Sequence, residues 1–232
     1  MSFKFSSIAK VVIAVLSISS VSSHALESGD FIVRLGIANV NPDVESGTLK
    51  SGGADVTLGG GTTTIDVDDN SQLGFTMSYM LDDSWAFGLL AATPFKHDIS
   101  VQGGLANAGL DTIIETRHLP PTFTAQYHFP ISKTVKPFVG VGLNYTRFFD
   151  TKATAGLEGA AGATDVSLDD SWGLALEAGV DFEIADDWYF NVHAWMIDIN
   201  TEATLNTTNL GNLTLEADID PVVIMLGFGK RF

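Results

Sequence analysis

The feature that most constrains this chain is a two-residue alternation of apolar with small or polar side chains, which returns eight times between Phe31 and Phe232. In the first segment Phe31, Val33, Leu35 and Ile37 share one face, with Ile32, Arg34, Gly36 and Ala38 on the other. The pattern recurs over residues 73–81, 85–91, 123–129, 139–145, 172–182 and 188–196, and in the final stretch 221–232, PVVIMLGFGKRF. A period of two sends neighbours to opposite faces of a strand, where a helix would gather them on one stripe. Strands that are apolar along one whole face need either a second layer to cover it or surroundings that are themselves apolar.

The connections decide between the two. Residues 82–84, 130–136 and 185–187 are short turns, whereas 43–64, 101–113, 152–167 and 203–212 are long, polar and rich in Gly, Thr, Ala or Asn. All four read as loops, and the first, with Gly59-Gly60-Gly61, as a mobile one. Aromatics on the apolar face flank every short turn: Tyr79 and Trp85, Tyr127 and Phe129, Phe182 and Trp188, with Phe31 and Phe232 at the matching chain ends. They all fall at one rim. Short turns at one end, long loops at the other, an outward apolar face and an aromatic girdle describe a membrane barrel. The predicted fold is all-β: an eight-stranded antiparallel transmembrane β-barrel with short periplasmic turns and long extracellular loops, occupying residues 26–232.

The first residues set the compartment. Lys4 and Lys10 border a short apolar core at 11–18, and Ser23-His24-Ala25 makes a small-x-small cleavage site. Residues 1–25 therefore read as a signal peptide removed on export. No later apolar run approaches the ~20 residues of a spanning helix. The chain has no cysteine, so stability must come from the sheet and not from disulfides. With 12 basic and 28 acidic residues the net charge is −16, which excludes a nucleic-acid partner and fits solvated external loops.

If the apolar face meets lipid, the other lines the interior. Near the turns it carries Arg34, Ser78, Gln126, His128, Glu177, Asp181, Asn191, His193 and Arg231. Eight strands leave room only for side chains or one small ligand, so these groups are expected to interlock as a periplasmic-side polar plug. Arg34 and Arg231 become neighbours when the barrel closes, and Glu177 and Asp181 are their expected counter-charges. Higher up, Leu90, Pro94, Pro120, Phe138, Trp195, Ile197 and Met225 are expected to line an apolar channel. Trp195 is there either as filler or as the constriction of a pocket. Pro94 on one strand and Pro120 and Pro121 on the next reach the same height. Proline cannot donate to a ladder, so the wall should be interrupted there, as a bend into an external extension or as a lateral exit.

Other chemistry finds little support. Asp66, Asp68, Asp69 and Asn70 lack the glycine and distal glutamate of a calcium loop. His97, His118, His128 and His193 have no zinc spacing, and no metal or cofactor is expected. Ser171 lies in LDDSWG, not in a nucleophile elbow, so no catalytic residue is assigned.

Several blocks together resemble the OmpW family: LLAATPFKH (89–97), RHLPPTFTAQYHF (117–129), PFVGVGLNYTRFFD (137–150), LDDSWG (168–173) and WYFNVHAWMIDINT (188–201). The resemblance runs from about residue 29 to 232. It implies an eight-stranded outer membrane barrel with a narrow hydrophobic channel for small apolar molecules, constricted at the positions of Leu90 and Trp195, with sideways release into the outer leaflet. Expected partners are outer membrane lipids and lipopolysaccharide, small hydrophobic solutes and, through the terminal Phe232, the barrel-assembly machinery. Lys230 departs from the aromatic usual two residues before that end; facing lipid near the rim, it can snorkel. The alternatives are a surface receptor or structural barrel without transport, and an outer membrane enzyme, which would need Ser, His and an acid converging at the mouth.

Overall fold

A computed structural model describes residues 26–232; the expected signal peptide at 1–25 lies outside the described residues. Eight strands form the barrel: β1 (Phe31–Asn41), β2 (Asn70–Met80), β3 (Trp85–Ala92), β4 (Thr122–His128), β5 (Val135–Ala153), β6 (Ser171–Ala185), β7 (Trp188–Ile197) and β8 (Val222–Arg231). Each pairs antiparallel with its sequence neighbour. The β1–β8 pair, in register from Ile32 opposite Arg231 to Asn41 opposite Val222, closes the ring and leaves no edge.

The short connections are tight for stated reasons. The Asp82 carboxylate accepts the backbone N–H groups of Ser84 and Trp85, a side-chain-templated turn. Asp187 takes a positive φ of 62° in the two-residue link from β6 to β7. The outward side chains stay uncovered: Leu35 and Ile37 are 53% and 58% exposed, and Leu73, Val141, Leu174, Leu226 and Phe228 are exposed as well. Among the described residues no helix is long and apolar enough to span a membrane; the strands form the apolar belt. The aromatic girdle at the turn end includes Trp85 edge-on to Tyr127 at 5.2 Å and Lys230 over the rings of Trp188 and Phe232. The lysine in place of an aromatic is thus held on the girdle by cation–π contact. Tyr145 and Trp172, 4.7 Å apart, form a second girdle at the opposite edge, so aromatics are not confined to one rim.

The long connections differ most from expectation: they are largely built. Strands Gly61–Val67, Phe95–Gly103 and Thr112–Leu119 continue the wall upward, the last pairing with the upper half of the 19-residue β5. Facing them, Thr164–Leu168, Asn200–Thr207 and Gly211–Asp218 form a second sheet with short strands from residues 45–55. Between the sheets lies an apolar core that includes Leu49, Ile99, Val101, Ile113, Leu205, Leu213 and Leu215. The stretches 43–64 and 203–212, read as loops, thus carry strands, because their few apolar residues meet across this external core.

Candidate functional site

The interior is stratified, and register fixes the layers. Inward positions of β6 run upward from Asp181 through Gly179 and Glu177 to Ala175. Opposite them on β7 stand Asn191, His193, Trp195 and Ile197. At the lowest level Arg34, fully buried, donates to Asp181 through Nε at 2.8 Å and to Ser78 through Nη1 at 2.9 Å, while Asn191 donates to the same Asp181 at 2.8 Å. One level up, Glu177 accepts from Thr124 at 2.6 Å and from the Trp195 indole N–H at 2.9 Å, with His193 Nε2 at 3.0 Å. His128 contacts Gln126 at 3.3 Å. Six of the seven expected plug residues, Arg34, Gln126, His128, Glu177, Asp181 and His193, therefore meet in one network.

Arg231 is a correction. It pairs with Asp187 and Asp30 at the turn rim, not with Glu177 or Asp181. Its β1 neighbour Ile32 lies one inward position below Arg34, so Arg34 is the arginine that reaches Asp181.

Phe138 is a second correction. It sits in the floor, stacked on His128 at 4.7 Å, edge-on to His193 at 4.8 Å and under the Arg34 guanidinium. Gly179 opposite makes this fit, since a Cβ there would lie 2.3 Å from the Phe138 ring. Leu90, Trp195, Ile197 and Met225 do share one apolar cluster, with Ala38, Val40, Phe95, Ala175, Ile199 and Val223. Trp195 is the boundary: it stacks on His193 at 3.6 Å and ties its N–H to Glu177. Its ring is therefore both a lid on the floor and the bottom of the lumen.

Pro94 is a third correction: it is exposed, and Phe95 points inward in its place. Along β3 the even residues face inward, but from Phe95 onward the odd ones do. The ladder is interrupted where the parity switches. Pairing between β3 and β4 ends at Leu90 opposite Thr122, and pairing resumes at Phe95 opposite His118. Thr93 turns its N–H to Leu73 on the other side. Behind the interruption a small cavity is lined by Ala38, Val40, Leu90, Ala91, Ala92, Phe95, Pro120 and Val223.

Above Phe95 a larger cavity opens between the external sheets, lined mainly by apolar groups such as Val40, Ile99, Ile114, Phe148 and Ile219, with Thr116, Thr146, Thr201, His97 and His118. Phe95, His118 and His97 form a cluster of three mutually stacked rings, 5.4, 4.9 and 6.4 Å apart. Burial, with a smaller contribution from His97, holds His118 down at about 3, and burial lowers His97 despite Asp68, Asp69 and Asp98 nearby. These residues were weighed in the sequence only as metal ligands. Phe95 escaped notice because the proline shifts its parity.

A closed eight-stranded ring with an apolar belt outside, a charged floor and an apolar upper lumen defines a transmembrane barrel of the outer membrane class. The comparisons agree. The OmpW family model matches residues 27–232. Outer membrane protein W of Vibrio cholerae is 42% identical over 222 residues, 95% of this chain and 96% of that protein; Outer membrane protein W of Escherichia coli K12 is 41% identical over 224 residues, with the same coverage. The crystal structure of OprG from Pseudomonas aeruginosa superposes with a TM-score of 0.80 at 37% identity, covering 89% of this chain and 97% of that one. The chain belongs to the OmpW family and resides in the bacterial outer membrane.

Proposed function

We propose that this barrel is a non-enzymatic channel for passive uptake of small hydrophobic molecules, which enter from the external face and leave sideways into the outer leaflet. One observation carries the reading: an apolar cavity above an ionic floor shares Val40 with a second cavity lying against the interrupted wall at Ala91, Ala92 and Pro120. The floor joins Arg34, Asp181, Glu177 and His193 across the barrel, leaving an apolar solute no solvated path downward. Passage through the wall costs it little, because lipid is as apolar as the lumen. Lipopolysaccharide and outer-leaflet lipid surround the belt in this reading, and Phe232 engages the barrel-assembly machinery.

The experiment is transfer of an apolar dye-like solute into liposomes holding the purified protein. Wild type accelerates transfer. Leu90→Trp, filling the lower cavity, slows it several-fold, and Trp195→Ala changes the rate by opening the lumen's base. Equal rates for protein-containing and empty liposomes would leave a structural or receptor role.

A further inference from the structure

The upper cavity is apolar except at three threonines, Thr116, Thr146 and Thr201, whose hydroxyls bond Thr151, Asn144 and the Asp169 carbonyl, and at the His97–His118 pair, whose ring nitrogens are largely unpartnered. His97 and His118 are 2% and 5% exposed. His97 Nδ1 lies 2.6 Å from the Asp68 carbonyl oxygen, an acceptor only, so Nδ1 carries the proton and Nε2 is left with a lone pair. That Nε2 is buried without a partner, and so are both ring nitrogens of His118. Neutral His118 supplies one donor and one acceptor. Leaving such groups unpaired inside a folded protein is costly, and their cost is recovered when a partner arrives. Both rings line the large cavity, and Phe148 lies 5.8 Å from His118 at its edge.

We infer that the His97–His118 pair is a polar anchor for apolar molecules that carry a hydroxyl group, and that the cavity prefers a phenol over the matching hydrocarbon. A hydroxyl donates to an imidazole lone pair and accepts from an imidazole N–H, which is what the pair offers. The ring finds aromatic faces in Phe148 and the histidines and hydrocarbon walls in Ile99 and Ile114. A ketone could use only the donor of His118 and would leave His97 Nε2 unpaired. This rests on the uptake reading and narrows its substrate class.

The test uses the full chain in lipid nanodiscs, with para-ethylphenol and ethylbenzene as probes and bound probe measured at equilibrium. Wild type binds the phenol about tenfold more tightly than the hydrocarbon, relative to their partition into empty nanodiscs, the size expected when one buried hydrogen-bonding site is satisfied. His118→Phe keeps the aromatic ring and removes two of the three unpartnered nitrogens. It weakens the preference, His97→Phe with His118→Phe abolishes it, and both leave ethylbenzene binding unchanged or stronger. In wild type, the nitrogen NMR resonances of the His97 and His118 rings shift with the phenol and not with ethylbenzene, a readout that does not depend on any variant folding. Ethylbenzene bound with no phenol preference and unmoved histidine resonances would overturn the anchor alone. Failure of both probes to bind above empty nanodiscs would overturn the uptake reading beneath it.

Discussion

Arg34 and Asp181 show how much this barrel stakes on single residues. Both are buried, and each supplies what the other lacks: Arg34 spends its donors on Asp181 and Ser78, and Asp181 gathers Arg34 and Asn191. Removing one partner of such a pair strands a charge and typically costs about 3–5 kcal/mol. Arg34→Met should lower the urea midpoint of the lipid-embedded protein accordingly, and Arg34→Met with Asp181→Leu should recover much of the loss. The histidines of the external cavity give a second prediction at this scale. His118 titrates near 3 when folded against 6.5 unfolded, and His97 is lowered too. Between those values the unfolded segment binds more protons, so stability rises with pH there. The external strands should be fully stable above about pH 6.5 and lose protection as pH falls toward 3, as read by proteolysis of residues 95–119. Asp68, Asp69 and Asp98, the acidic groups facing His97, temper the loss without reversing it.

Strand elements explain both what the sequence disclosed and what it hid. The barrel strands were legible because lipid on one side and a packed interior on the other enforce strict alternation, as at Leu35 and Arg34 or Leu226 and Met225. The inward placement of Arg34, Glu177 and Asp181 is legible for the same reason, since parity alone puts them on the interior face. The external sheets were not, because only one face of each strand meets a small core and the other is solvated. Leu205, Leu213 and Leu215 do alternate, yet Thr, Asn and Gly around them read as loop. Pro94 hid Phe95 by inserting a parity switch, which no count along a regular strand anticipates. The interruption itself followed from proline chemistry, since Pro120 and Pro121 have no N–H to give. The amide of Ala92, which alternation turns toward the unpaired gap while Thr93 bonds Leu73, should exchange with solvent at least tenfold faster than those of 86–90 and 123–127. Equal protection across the gap would mean that the wall is continuous.

At the level of the whole molecule, the layers divide the work. A girdled apolar belt sets the barrel in the outer membrane, and an ionic floor closes it toward the short turns. Two external sheets extend an apolar lumen into solvent, in a chain whose net charge is −16. The belt and the floor stabilise the barrel whatever crosses it; the proposed uptake rests on the lumen and the interrupted wall. The most direct measurement is therefore the rate at which an apolar solute enters protein-containing liposomes, set beside the rates of a polar solute of equal size and of ions. The account predicts that only the apolar solute is accelerated and that Leu90→Trp slows it several-fold. Acceleration of ions or of the polar solute, or an apolar rate indifferent to both the protein and the Leu90 substitution, would contradict it.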